Sequence, residues 1–238
     1  MKSFALKYAV VCLICIGSVF GAQVRFLAWD GNVAARDLSV MSGEKLFKIE
    51  DLHDSRKTAP IRVKVGENGI INLRVSDRKD AEGKPITLRL PPMAPGLTAP
   101  LVLLLPDKNT PSNLTGIIFE DDVKKFEFGA FRMLNVTGGP VKCVFGAENK
   151  ILKAWKAEDF APGGVTPTPI EFYLPADPKR AAYSSAWQPE PSTRNFVIVA
   201  KSVAGGRHGP LEVKVIPETQ RDFEMQQSLN RGESKEDE

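Results

Sequence analysis

The sequence predicts an all-β protein, an antiparallel β-sandwich of the immunoglobulin-like kind with a short C-terminal helix and a disordered acidic tail. First, almost every apolar segment is short and bounded by Gly, Pro, Asn or Asp. Second, the segments IRVKV, ITLRL and LEVKV alternate strictly, as strands do when one face meets a core and the other meets water. Third, no helical period persists between residues 23 and 216. Short strands separated by turn residues are typical of sandwiches and barrels.

One apolar segment departs from this alternation. LVLLL at 101–105 is apolar throughout, which predicts a central strand covered on both faces. The predicted strands are 24–29, 61–65, 70–75, 86–90, 101–105, 114–120, 128–136, 141–145, 151–155, 170–174, 183–187, 196–201 and 211–216.

The first 22 residues have the pattern of a secretory signal peptide. Lys2 and Lys7 form a basic end, residues 8–19 are almost wholly apolar, and small residues follow at Gly21 and Ala22. A retained membrane anchor would need about 20 apolar residues, and this run is shorter. We therefore expect cleavage near Gly21 or Ala22, no retained transmembrane anchor, and export to the periplasm, the outer-membrane surface or the extracellular space.

Removal of this leader changes the cysteine count and the charge. Cys12 and Cys15 leave with it, so Cys143 remains alone and cannot form an intramolecular disulfide. Lys2 and Lys7 also leave, which brings the formal charge to about +1, without a basic stripe for nucleic acid. Nucleic acid is therefore not an expected partner.

Residues 23–217 are predicted to form a single β-sandwich domain, and residues 218–238 a short helix and charged tail. The Pro-rich stretch 91–111 is the one plausible boundary, but separate halves would leave strand edges bare. No repeat of fixed period is visible. ETQRDFEMQQSLNR, after Pro217, is rich in helix formers, and GESKEDE beyond it has nothing to bury.

The segment GAFRMLNVTGGPVKCVF at 129–145 predicts a β-hairpin. FRMLNV and VKCVF are strand-like, and Thr137-Gly138-Gly139-Pro140 has the composition of a turn. In alternation Cys143 shares a face with Val141 and Phe145, so we expect a buried apolar residue and not a nucleophile.

No motif of an enzyme or a metal site is present, and we predict no catalytic residue, metal or cofactor. Glu120-Asp121-Asp122 could hold calcium or act as acid and base, but we favour a solvated strand end that Lys124 and Lys125 balance. A hydrolase that uses Asp121, Asp122 and His208 remains the enzymatic alternative.

The three tryptophans could bind a glycan. Trp29, Trp155 and Trp187 each end an alternating segment (RFLAW, ILKAW, YSSAW) and could form a stacking surface at one rim. The structural alternative, which we favour, is that they fill or close the core, since aromatic side chains bury a large apolar area.

Five segments together give the chain its overall resemblance. RFLAWDGNVAARDLSV, APLVLLLPD, GAFRMLNVTG, YSSAWQPEP and GPLEVKVIPE resemble the framework of uncharacterised exported bacterial β-sandwich proteins, across about residues 24–220. The resemblance implies an envelope or secreted sandwich and assigns no activity.

The expected function is therefore that of a non-enzymatic exported envelope protein, a structural or protein-interaction module that could belong to a surface assembly. Its expected partner is another envelope or surface protein, since exposed sheet edges are natural sites of strand addition. The alternative is a carbohydrate- or peptidoglycan-binding module that uses Trp29, Trp155 and Trp187.

Overall fold

The computed structural model describes residues 20–65, 68–164, 166–202 and 209–233, and it confirms a mostly β protein with a short C-terminal helix. Residues 1–19, which hold most of the predicted signal peptide, and the tail residues 234–238 lie outside this range. The elements are β1 Phe20–Ala28, α1 Gly31–Ala34, β2 Leu38–Ser42, β3 Lys45–Lys48, β4 Ile61–Val65, β5 Asn72–Lys79, β6 Pro85–Arg89, β7 Pro100–Pro106, β8 Leu114–Glu120, β9 Phe131–Asn135, β10 Val141–Phe145, β11 Glu148–Leu152, β12 Ala157–Phe160, β13 Thr168–Tyr173, β14 Tyr183–Trp187, β15 Thr193–Lys201, β16 Leu211–Thr219 and α2 Gln220–Glu233.

The strands form four sheets of four strands, two in each half of the chain. The first half has the orders β4-β1-β7-β8 and β3-β2-β5-β6, and the second has β12-β9-β15-β16 and β11-β10-β13-β14. The pairs β1–β7 and β9–β15 are parallel, so the sheets are not wholly antiparallel. The immunoglobulin-like prediction is not confirmed, because these orders differ from the ABED and CFG sheets of that fold.

The second half repeats the strand order of the first, with β9–β16 in the places of β1–β8. Register makes the correspondence specific: Leu27 of β1 lies opposite Leu103 of β7, and Leu134 of β9 lies opposite Ile198 of β15. The sequence hides this repeat because the number of residues between corresponding positions varies along the chain. Leu27 corresponds to Leu134, Leu73 to Phe172 and Leu103 to Ile198.

Three hydrophobic clusters hold these sheets together. One lies between the two sheets of the first half, and a second between the two sheets of the second half. The third joins Leu27, Leu101 and Leu103 of the first half to Phe196 and Ile198 of the second. The inner sheets of the two halves therefore pack face to face, and the outer sheets lie beyond them.

The inner position of β7 explains its unusual sequence. Its residues from Pro100 to Leu105 are all buried, which confirms the prediction that LVLLL is covered on both faces. Val102 and Leu104 face the cluster of the first half, while Leu101, Leu103 and Leu105 face the other half. The single domain predicted for residues 23–217 stays a prediction that unfolding experiments can test.

The predicted hairpin at 129–145 is wrong in its pairing, although both strands form. β9 pairs with β12 and β15, whereas β10 pairs with β11 and β13, so the connection passes from one sheet to the other. Buried Asn135 organises this corner, since its side-chain amide donates to the carbonyls of Gly139 and Leu152. Its oxygen accepts from the amide of Thr137.

Helices are few. Asp30 caps the single turn of α1 by accepting a hydrogen bond from the amide of Val33. α2 follows β16 directly and confirms the predicted C-terminal helix. Within the described ranges, no helix combines the length and apolar character needed to cross a membrane.

Candidate interaction surface and buried charge cluster

Five charged side chains meet in the interior where the two halves join. This charge cluster consists of Arg25, Lys57, Asp121, Arg194 and Glu218, and all five are buried. The Lys57 ammonium lies 2.7 Å from the Asp121 carboxylate and 3.0 Å from that of Glu218. Arg25 and Arg194 each contact both carboxylates as well. Each carboxylate is therefore shared by three cations.

The charge cluster draws its members from both halves. Arg25 lies on β1, and Lys57 lies in the long connection between β3 and β4. Asp121 directly follows β8, where its amide donates to the Ala99 carbonyl, while Glu218 on β16 lies opposite Arg194 on β15. By register, Asp121 and Glu218 occupy corresponding positions in the two halves. The repeat thus places one carboxylate from each half at the junction.

Burial and charge act in opposite directions on these groups. Burial opposes ionisation of Glu218, but the charges of Lys57, Arg25 and Arg194 outweigh it and hold its pKa well below the usual value. Burial lowers the pKa of Lys57, while the carboxylates of Asp121 and Glu218 oppose that effect. Ion pairs of this kind cost several kcal/mol of desolvation per ion, so they depend on complete pairing.

Aromatic rings and α2 complete the surroundings of the charge cluster. The Arg194 guanidinium lies 5.2 Å from the ring centre of Phe126 and 5.1 Å from that of Phe223. These rings follow Asp121 and Glu218 at equal separations along the chain. Gln226 of α2 accepts a hydrogen bond of 2.7 Å from Arg25. The helix therefore covers one end of the cluster with neutral groups.

The prediction that residues 120–122 form a solvated strand end is wrong for Asp121. Asp121 is buried because Arg25, Lys57 and Arg194 converge on it from distant parts of the chain. Its neighbour Glu120 is paired with Lys125, as predicted. Burial opposes ionisation of Glu120, but hydrogen bonds from Lys125 and from backbone amides hold its pKa below the usual value. Hydrogen bonding to the Lys124 amide lowers the pKa of Asp122.

The residues of the hydrolase alternative are only partly described. Asp121 and Asp122 both line a cleft of about 330 Å³ beside α2, together with Thr98 and Phe223. His208 lies outside the described residues. Among the described residues, no group of three or more potential metal-ligating side chains comes together.

Cys143 is buried in the core of the second half, as expected. Burial raises the pKa of its thiol to about 12, with a further contribution from Glu148. By register Cys143 corresponds to Val40 of the first half. It therefore occupies the place of a small apolar residue, and its thiol stays protonated and unreactive at neutral pH.

The three tryptophans have different environments. Trp29 packs against the clusters of the first half and of the junction, and Trp187 packs against the cluster of the second half. The Trp187 ring stacks on Phe131 at 5.7 Å between ring centres. Trp155 is the exception, with half of its surface exposed. Two of the three candidates therefore have a packing role.

Trp155 also has an unusual backbone. Its φ of 61° lies in the left-handed region, which costs a residue with a side chain about 1–2 kcal/mol. Its amide donates to the Asn135 carbonyl at 2.7 Å, which helps to hold this turn between β11 and β12. A glycine would adopt the conformation without strain, so the exposed indole has no evident role in folding.

The sequence did not point to β3, which is the most exposed strand of the described residues. All four of its side chains are exposed, including adjacent Leu46 and Phe47 at 45% and 37%. β3 lies at the edge of its sheet, and among the described strands it pairs with β2 alone. Within the described part of the chain, its side chains make no hydrogen bond or ion pair. We call this surface, Lys45–Lys48, the β3 edge.

The corresponding edge of the second half is engaged in internal contacts. Register places Glu148 and Lys150 of β11 where Lys45 and Phe47 lie in β3. Lys150 pairs with Glu148 at 2.7 Å and donates to the Asp159 carbonyl of β12. Glu148 in turn accepts from the Ala161 amide at 2.8 Å. The first half has no such contacts at its β3 edge within the described residues.

A local signal could have revealed β3. Alternating LSVMS and the apolar pair Leu46-Phe47 flank Gly43-Glu44, and Gly43 adopts a φ of 62° in the two-residue turn. The exposure of both apolar residues has no sequence signature, because it depends on what the other strands cover.

Comparison with known proteins assigns no family: no protein-family model matches the chain, and no curated protein matches it significantly.

Proposed function

We propose that the protein is a non-enzymatic exported envelope protein that binds another protein through the β3 edge. The supporting observation is the β3 edge itself, a fully exposed strand with two large apolar side chains at an unpaired sheet margin. An exposed strand at an unpaired sheet margin is a natural site for strand addition by another protein. The basic and apolar N-terminal leader supports export to the periplasm, the outer-membrane surface or the extracellular space.

The contacts of the charge cluster support a structural role for its five residues. Groups of the protein itself satisfy the charge cluster, since no buried side-chain nitrogen or oxygen of the described residues lacks a hydrogen-bond partner. Asp121, the most buried carboxylate of the hydrolase alternative, is held by three cations. We therefore assign these groups to holding the halves together.

Site-specific crosslinking in the native envelope tests this function. A photoreactive residue in place of Leu46 should capture one specific protein, and the same residue in place of Asn149, the corresponding position of β11, should not. The captured protein, once purified, should bind the Phe47→Asp variant at least about tenfold more weakly than the unchanged protein. Equal capture from both positions, or none from Leu46, would overturn the proposal.

A second candidate function, glycan binding, is favoured by Trp155 alone. Its exposed indole and left-handed backbone are consistent with a residue that binds a ligand. Indole rings bind sugars by stacking on their apolar faces. Glycan-array binding should then be lost in Trp155→Ala and retained in Trp29→Phe and Trp187→Phe. Binding that survives Trp155→Ala would remove this candidate.

A further inference from the structure

We propose that the partner of the β3 edge is an extended peptide segment that joins the sheet as a fifth strand and carries carboxylates opposite Lys45 and Lys48. This inference rests on the proposed function, because it specifies the chemistry of the same surface. It follows from the backbone, the two faces and the charges of β3.

The backbone of β3 offers a row of groups for a new strand. β3 pairs through Ser39–Ser42 of β2 on one side, and on its other side no backbone hydrogen bond is formed by any described residue. An incoming extended peptide would satisfy these N–H and C=O groups at the regular spacing of a sheet. A polymer without backbone amides could not form this ladder, and the N–H and C=O groups of β3 would remain bonded to water.

The two apolar side chains point to opposite faces of the sheet. Phe47 lies opposite buried Val40 and so belongs to the inner face, whereas Leu46 lies opposite Met41 on the outer face. A flat lipid surface would contact only one of these faces. A strand beside β3 places alternate side chains on both, so it can cover Leu46 and Phe47 together. This geometry favours a peptide over a membrane.

Each face of β3 combines one lysine with one apolar residue. Lys45 shares the inner face with Phe47, and Lys48 shares the outer face with Leu46. Exposed Glu44 and Glu50 flank the strand. A complementary strand therefore has a basic residue opposite Glu44, an acidic one opposite Lys45, apolar ones opposite Leu46 and Phe47, an acidic one opposite Lys48 and a basic one opposite Glu50. Opposite charges facing each other across two strands stabilise the pair, and like charges destabilise it.

The same rule disfavours a second copy of this chain as the partner. Two antiparallel β3 strands centred on Leu46 and Phe47 would place Lys45 of each opposite Lys48 of the other. Lysines at an edge also protect proteins against aggregation. Protection alone gives no reason for two large exposed apolar residues between the lysines, whereas binding of an acidic strand does.

Two peptides of equal length and equal net charge test the inference. Lys-Thr-Glu-Val-Val-Glu-Lys complements β3 in the antiparallel direction, and Glu-Thr-Lys-Val-Val-Lys-Glu exchanges every charge. Added to the full mature protein, the first should shift the amide NMR signals of residues 45–48. The second should bind about tenfold more weakly. The Leu46→Ser/Phe47→Ser variant should respond to neither, while the matched variant Asn149→Ser should respond as the unchanged protein does.

Equal binding of both peptides, or shifts away from the β3 edge, would overturn the inference. Binding of anionic phosphatidylglycerol vesicles that depends on Leu46 and Phe47 would assign the surface to a membrane instead. Self-association in sedimentation that the double variant abolishes would assign it to a second copy. If crosslinking at position 46 captures a partner while the peptides do not discriminate, the partner chemistry fails and the proposed function stands. If crosslinking captures nothing, the function itself fails.

Discussion

The two halves of this protein share one strand order but differ at their margins and at their junction. At the margin, β11 turns Glu148 and Lys150 toward β12, whereas β3 leaves Leu46 and Phe47 in solvent. The connections differ as well, because a long segment joins β3 to β4 and brings Lys57 into the interior, while a short turn joins β11 to β12. Strand order is therefore common to both halves, while side-chain contacts determine which edge strand remains exposed.

The junction shows the opposite behaviour, since there the halves act alike. Asp121 and Glu218 occupy corresponding positions, and both are shared among Arg25, Lys57 and Arg194. Leu103 and Ile198 correspond in the same way within the shared cluster. The halves thus contribute corresponding carboxylates and corresponding apolar side chains where they meet, and they differ at the edges that face solvent.

The largest effect should come from removing one shared carboxylate. Glu218→Gln leaves Lys57, Arg25 and Arg194 buried with one anion, and we expect a loss of about 3–5 kcal/mol in the free energy of unfolding. Asp159→Asn is the matched control, because it breaks the Arg132 pair at a carboxylate that is 43% exposed and should cost below about 1 kcal/mol. Urea denaturation measures both. Equal losses would contradict the central role of the charge cluster.

Cavities at the junction should reveal whether the halves unfold together. Leu103→Ala and Ile198→Ala each remove a fully buried side chain from the shared cluster, and each should cost about 2–5 kcal/mol. Because both halves contribute to that cluster, calorimetry should show one transition at a lower temperature in each variant. Two separate transitions would show that the halves are independent domains, against the single domain predicted from sequence.

Acid should weaken the junction through Glu218. Its pKa is lowered in the folded protein, so its contribution to stability is present above the unfolded value of about 4.3 and is lost as the pH falls toward the folded value. The free energy of unfolding should therefore decline with acidification below about pH 4.3, and more steeply than in Glu218→Gln. Parallel pH profiles for the two proteins would contradict this.

The smallest effect should come from making the cores of the halves more alike. Cys143→Val introduces the residue found at the corresponding position, Val40, and should change stability by less than about 1.5 kcal/mol. In the unchanged protein, the burial that raises the pKa of Cys143 to about 12 should also prevent thiol labelling until denaturant is added. Rapid labelling of the native protein would show that the core of the second half is open.

The sequence predicted the elements that depend on local pattern. Alternation located strands such as β4 and β16, and the unbroken apolar run located β7, because each pattern reports directly what covers a strand. The C-terminal helix followed from composition in the same way.

The remaining features depend on contacts between distant residues. Asp121 looked solvated because nothing near it in the sequence reveals Arg25, Lys57 or Arg194 as partners. The supposed hairpin at 129–145 failed because a tight turn also serves to pass from one sheet to the next. The exposure of Leu46 and Phe47 could not be predicted, since their sequence is also that of a covered strand.

The face of the first half that meets the second has a consequence for biosynthesis. Leu27, Leu101 and Leu103 are synthesised before Phe196 and Ile198. The leucine-rich face of the first half therefore stays exposed to solvent until the last strands have been added. While that face is uncovered, the chain is prone to self-association. A polypeptide truncated near residue 130 would keep that adhesive face permanently and should aggregate.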